Sequence, residues 1–181
     1  MLTSSEIKFF KSLSNKKARE DNSLFVVEGE KLVNEALRSD FEVVKVLYSD
    51  QIGIKTMERI TLLSAPSPAY ALLKMKSDDD DLRIDPKELY LMLDSVKDPG
   101  NLGTILRIAD WFGIRTIIAS KGCVEVYNPK VVQSSMGSIF RVRVLYRDPK
   151  KFLSKIKGKT IVYGTYPLAP SIYTQRLERG A

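Results

Sequence analysis

The 181-residue chain contains no histidine. That absence removes histidine-based triads, imidazole metal ligands and imidazole proton shuttles. A single cysteine, Cys123, cannot form an internal disulfide and fits a reducing cytoplasm. It reads as a small, partly buried apolar side chain rather than a nucleophile. No apolar run approaches the roughly 20 residues that a membrane-spanning helix needs, so no membrane partner is expected. The opening MLTSSEIKFFKSLSNKK has charge on both sides of a short apolar pair, which is not a signal-peptide pattern. What is present, 44% apolar and 28% charged residues, describes a folded globular chain with room for two small domains.

Charge is unevenly placed. The net value is +7, yet residues 1–88 hold 14 Lys/Arg against 16 Asp/Glu, and residues 89–181 hold 15 against 6. A basic C-terminal half suits a phosphate-backbone partner and, equally, a solvated lysine-rich surface. The N-terminal half alternates short patterns. Residues 4–14 predict a helix, followed by a basic arm at Lys16, Lys17 and Arg19. Residues 23–27, 43–48 and 61–64 predict strands, and a helix after Gly29 places Leu32, Val33, Ala36 and Leu37 on one face. Ser67-Pro68 predicts a helix start, with Ala71, Leu72 and Met75 on the helix. Together these elements predict a small α/β sandwich. The run SDDDDLRIDP at residues 77–86 breaks the pattern, because successive aspartates repel and favour an extended, solvated linker. Nothing around them organises metal ligands, and no metal is expected.

The chain is organised around residues 89–145. Residues 89–93 predict a buried, central parallel strand running into the loop DSVKDPGNLG, whose Pro99, Gly100, Asn101 and Gly103 are turn formers. A helix with Ile105, Leu106, Ile108, Ala109 and Phe112 on its core face follows, stopped by a left-handed Gly113, and residues 114–119 predict the next strand. This is one right-handed βαβ unit, and open parallel sheets bind ligands outside the carboxyl ends of their strands. The first loop lacks G-x-G-x-x-G and G-x-x-x-x-G-K-[ST], which argues against an ordinary nucleotide binder. Asn128-Pro129 predicts a second helix, with Val131, Val132 and Met136 apolar and Gly137 at its end. Residues 139–146 predict a strand, and Asp148-Pro149 a helix burying Phe152, Leu153 and Ile156. The lysines at 150, 151, 155, 157 and 159 read more readily as a solvated face than as a binding stripe. Residues 160–165 predict a last strand.

Asp98, Pro99, Asn101, Gly103, Ile105, Arg107, Ala109, Phe112 and Gly113 resemble motif 1 of the SpoU (TrmH) family of S-adenosylmethionine-dependent RNA ribose methyltransferases. NPKVVQSSMGSIFRVRV at 128–144 is similar to the family's next block, and FVVEGEKLVNEAL to the substrate-binding domain that precedes it in many members. The resemblance implies an α/β protein in three parts. Residues 1–80 would be an RNA substrate-binding domain like RNA-binding ribosomal proteins, 81–87 an acidic linker, and 88–181 the N-terminal part of a parallel-sheet SPOUT-type methylase domain. It further implies methyl transfer from S-adenosylmethionine to a ribose 2′-hydroxyl of rRNA or tRNA, a cytoplasmic location, and a homodimer in the full-length protein. The family's glycine-rich acidic segment and SLNV-like strand, which complete a trefoil knot and most of the cofactor pocket, have no counterpart here. The cofactor-binding residues are therefore unassigned, and the chain by itself is expected to be inactive. A non-catalytic RNA-binding module is the alternative.

By the same resemblance the family's catalytic arginine falls on Arg107, in the first turns of its helix near the loop. Arginine is an awkward base, since its pKa exceeds about 12. Its planar fork suits gripping a phosphate and polarising a nearby hydroxyl, while a plain surface charge is the alternative. Asn101 matches the motif 1 asparagine and is the second expected catalytic residue; it holds RNA or orders the loop, and a turn role suits it nearly as well. Ser135 and Ser138 match family serines near the active site. With Arg141, Lys16 and Lys17 they complete the expected RNA contacts, and Gln133 stands where many members carry a basic residue.

Overall fold

Thr3 starts the first helix with a reciprocal cap: its Oγ1 accepts from the Glu6 amide at 3.2 Å, while the Glu6 carboxylate accepts from the Thr3 amide at 2.8 Å. In the computed structural model, which describes residues 2–78, 82–85 and 87–177, α1 (Ser4–Ser12) and α2 (Lys16–Asn22) lead into a three-stranded antiparallel sheet. Its elements are β1 (Leu24–Glu28), α3 (Glu30–Leu37), β2 (Val43–Tyr48), α4 (Ser49–Ile52), α5 (Ile54–Ile60) and β3 (Ala69–Lys74), with β3 in the middle. The helix expected after Ser67-Pro68 is thus the central strand. AYALLK is buried on both faces, and a continuous apolar run has no period that separates strand from helix. Residues 61–64 are irregular rather than a strand, because Thr61 closes α5 and its hydroxyl donates to Glu28.

The second sheet is parallel, in the order β4-β5-β6. It comprises β4 (Leu91–Leu93), α6 (Pro99–Trp111), β5 (Thr116–Ala119), α7 (Pro129–Ser134), β6 (Arg143–Tyr146) and α8 (Pro149–Ile156). β5 is the middle strand. Among the described residues β4 pairs with β5 alone, so the strand expected to be central and buried lies half-buried at an edge. Residues 138–140 form a 3₁₀ turn, and the strand expected from residue 139 starts at Arg143. Residues 160–165 are not a strand: they are mostly exposed, and among the described residues neither sheet includes them. The aspartates at 79–81 and Pro86 of the expected linker lie outside the described residues.

One apolar core joins both sheets. Phe25, Val27, Val33 and Leu73 from the antiparallel sheet and its helix meet Leu102, Leu106, Val131 and Ile139 in a single cluster, with α6 and α7 between the sheets. The other face of the antiparallel sheet is covered by α1 and α5 through Ile7, Phe10, Met57 and Ile60. Phe152 and Ile156 of α8 pack on Ile118, while Leu153, expected to be buried, and Leu37 of α3 are exposed. No helix among the described residues is long and apolar enough to cross a membrane.

Candidate functional site

Helix α6 begins earlier than its turn formers imply. The Asp98 carboxylate accepts from the Asn101 amide at 2.8 Å and Pro99 occupies the first turn, so Pro99, Gly100, Asn101 and Gly103 are helical rather than loop residues. Gly103 is needed for packing: an added Cβ would sit 2.7 Å from the Ser134 Cβ on α7. At the other end Gly113, at φ +71°, lets the Ile114 amide reach the Ala109 carbonyl at 2.8 Å, a Schellman closure.

These ends fix which face is buried. Leu102, Gly103, Leu106 and Ala109 point inward, whereas Ile108 and Phe112, expected in the core, are exposed beside Trp111, which is 85% exposed. Asn101 and Arg107 are both exposed, and among the described residues the Arg107 side chain has no hydrogen bond or ion pair. Arg107 is the ninth residue of α6, more than two turns from the loop rather than in the first turns. Six residues at about 100° each leave it roughly 120° around the helix from Asn101, so the two do not share one face.

Ser138 and Arg141 meet instead at a carboxylate that sequence reasoning missed. Ser138 Oγ donates to Asp110 Oδ2 at 2.9 Å, and Arg141 Nε donates to both Asp110 oxygens at 2.9 and 3.1 Å. Arg141 also reaches Glu35 on α3 at 2.6 Å, so it ties α6 to the antiparallel half. Burial pushes the Asp110 carboxyl up, but the Arg141 and Ser138 hydrogen bonds outweigh it and hold the pKa below its ordinary value. The one available signal was spacing, since Asp110 lies three residues past Arg107 on the same side of α6. Ser135 is fully buried, and its hydroxyl donates to the Val132 carbonyl at 2.7 Å.

Lys16 and Lys17 are exposed on α2, with Lys16 3.5 Å from Glu20. Arg19, expected in the same basic arm, is 1% exposed. It donates to the Leu13 and Ser14 carbonyls and to the Glu125 carboxylate, pinning α2 to the loop after β5. Asp78, expected as free linker, accepts from the Tyr146 amide at 3.0 Å and from Arg147 at 2.8 Å. Between β6, the 121–127 loop and residues 75–78 lies a cleft of about 660 Å³, with Lys16 and Arg141 on its lining.

At the carboxyl ends of β4 and β5 the loops close on each other. Ser120 Oγ accepts from the Ser95 amide at 2.9 Å, and buried Cys123 Sγ accepts from the Val96 amide at 3.3 Å. These hydrogen bonds tie the two loops to each other at the strand ends. No cluster of metal-ligating side chains occurs among the described residues.

Comparison with known proteins gives a consistent set. The SpoU rRNA Methylase family profile matches residues 88–181, and that of the MRM3-like substrate binding domain matches residues 4–70. The chain is 30% identical over 176 residues to the 23S rRNA (guanosine(2553)-2'-O)-methyltransferase RlmP of Bacillus subtilis, covering 88% of this chain and 69% of that protein. To rRNA methyltransferase 3A, mitochondrial, of Danio rerio it is 48% identical over 82 residues, 45% of this chain and 19% of that one. A putative RNA methyltransferase of the TrmH family from Porphyromonas gingivalis superposes with a TM-score of 0.83 at 32% identity, covering 98% of this chain and 76% of that chain. An AdoMet-bound rRNA methyltransferase from Sinorhizobium meliloti superposes at 0.77 with 27% identity, over 89% of this chain and 68% of that one.

Proposed function

We propose, for a chain that belongs to the SpoU rRNA methylase family, that its intact protein transfers a methyl group from S-adenosylmethionine to a ribose 2′-hydroxyl of rRNA or tRNA. The observation that carries the reading is α6, which lies within the matched residues 88–181 and presents an exposed Arg107 that no protein group neutralises among the described residues. Methyl transfer depends on holding the acceptor oxygen in line, and a ribose hydroxyl is a weak nucleophile until its proton is polarised. Arg107 supplies both actions: its fork grips the adjoining phosphate and its charge polarises the hydroxyl. Asn101, at the start of the same helix, contacts the RNA further along. Lys16 and Lys17 extend the basic surface, and Ser138 and Arg141 shape the RNA face from behind through Asp110. Ser135, buried under the same turn, supports that face rather than touching RNA.

S-adenosylmethionine supplies the methyl group, and the S. meliloti relative is AdoMet-bound. Residues 1–80 form the RNA substrate-binding part, 81–87 the acidic linker and 88–181 the methylase part. The protein works in the cytoplasm as a homodimer, and exposed Ile108, Trp111 and Phe112 on α6 supply an apolar face for the second copy.

A second reading, a non-catalytic RNA-binding module, is favoured by the closed loops after β4 and β5. Labelled S-adenosylmethionine and rRNA fragments separate the two. The intact protein should label RNA, and Arg107→Ala should remove most of that activity with the circular-dichroism spectrum unchanged. Arg107→Lys should rescue poorly, since a point charge does not reproduce the two-pronged grip. RNA binding without any labelling would leave the module reading standing.

A further inference from the structure

Among the described residues no strand pairs with the outer edge of β6, and that edge faces the 660 Å³ cleft. On β6, the Arg143 amide donates to the Arg115 carbonyl at 2.9 Å and the Arg147 amide to the Ala119 carbonyl at 2.8 Å, so residues 143, 145 and 147 face β5. By the alternation of a parallel ladder, the amides and carbonyls of Val144 and Tyr146 point away from the sheet. Those of Tyr146 are closed off, its amide by Asp78 and its carbonyl by Arg147 at 2.9 Å. Val144 has no such cover: among the described residues no side chain pairs with its N–H or C=O, and it lines the cleft. The same strand edge is therefore sealed at one position and open at the next.

Around that open pair the walls suit a flat aromatic guest. Tyr127 and Tyr146, both half-buried, line the cleft with Phe140. The tyrosine rings are held in place, since the Tyr127 hydroxyl accepts from the Lys76 amide at 3.0 Å and the Tyr146 hydroxyl donates to the Val124 carbonyl at 2.8 Å. Fixed rings make a stacking wall that loses little freedom on binding. Lys121 is exposed at the rim, and no protein carboxylate pairs with it among the described residues. Arg141 joins the cleft to α6 through Asp110, one turn from Arg107.

We propose that this cleft takes an unpaired nucleobase of the RNA substrate, with the main-chain N–H and C=O of Val144 reading the base edge and Lys121 holding its phosphate. Every base carries a donor beside an acceptor on its Watson–Crick edge, and a strand's paired N–H and C=O answers that pattern. Only an unpaired base has this edge free, so the site selects single-stranded over duplex RNA at that nucleotide. The proposal deepens the RNA-methylating reading and depends on it.

The test uses the chain itself and a single-stranded RNA octamer containing 4-thiouridine, measured by fluorescence anisotropy and by photo-crosslinking with peptide mapping. Crosslinks are expected on the peptides carrying Tyr127 or Phe140, and annealing the complementary strand should abolish them. Val144→Pro removes the outward N–H without costing a ladder bond, and should weaken octamer binding about fivefold. Lys121→Gln should reduce the slope of log affinity against log salt by about one. If Val144→Pro fails to fold, the crosslink map and Lys121→Gln decide. RNA binding with crosslinks elsewhere, and a Lys121→Gln slope equal to the parent's, would overturn the cleft proposal and leave the RNA reading intact. No RNA binding at low salt would sink both.

Discussion

At the scale of single residues, two buried positions carry testable consequences. Gly103 lies at a close approach of α6 to α7, and an alanine there meets the Ser134 side chain and backbone. Because backbone cannot move aside cheaply, Gly103→Ala should lower the unfolding free energy by about 1–3 kcal/mol, read from urea denaturation midpoints. Glu28 is buried in the antiparallel half, where its carboxylate accepts from the Leu62 amide at 2.7 Å and from the Thr61 hydroxyl. Burial raises its pKa, and the Thr61 and Leu62 hydrogen bonds only partly offset this. The folded state thus holds this proton more tightly than the unfolded state. Its contribution to stability is fully present below the unfolded pKa and is lost as pH rises through the folded one. Glu28→Gln should therefore flatten the decline in melting temperature from mildly acidic to neutral pH, and an unchanged pH profile would refute that assignment.

At the scale of elements, helix ends were legible in the sequence and helix faces were less so. Asn128-Pro129 and Asp148-Pro149 start α7 and α8 as read, with Asn128 and Asp148 accepting from the Lys130 and Lys151 amides at 2.9 Å each. Asp98-Pro99 uses the same chemistry, but the glycines and Asn101 after it concealed the helix start. Asp98→Ala should destabilise the chain by about 1 kcal/mol, measurable by thermal melting, and a full Asp98→Asn rescue would identify capping as the cause. The inward face of α6 is rotated about the helix axis toward Leu102 and Gly103, away from the stripe through Ile108 and Phe112 that the sequence predicts. Periodicity places apolar residues on a helix, but a stripe that includes Ile108, Trp111 and Phe112 is wider than one core requires.

For the whole molecule, the shared core means that the antiparallel and parallel halves do not fold as strangers. Arg19–Glu125 and Arg141–Glu35 add polar ties across the same boundary. The surplus apolar face of α6 is the expected contact between copies. Trp111→Glu should shift sedimentation of the intact protein toward monomer while leaving its far-ultraviolet spectrum unchanged. A monomeric parent protein would count against the dimer directly.

The sequence by itself determined the βαβ order of the parallel sheet, the caps of α7 and α8, the Gly113 stop and the two motifs on which the family resemblance rests. Each of these is a local matter of cap, turn or spacing within a few residues. The tertiary structure alone decided that 69–74 is a central strand, that Arg19 is internal, that Asp110 gathers Ser138 and Arg141, and that Asp78 seals the sheet edge beside an open Val144. Those outcomes depend on partners up to about a hundred residues away, as Arg19–Glu125 and Arg141–Glu35 are at 106. A charge or an apolar run does not announce its partner; only packing brings the two within hydrogen-bond reach.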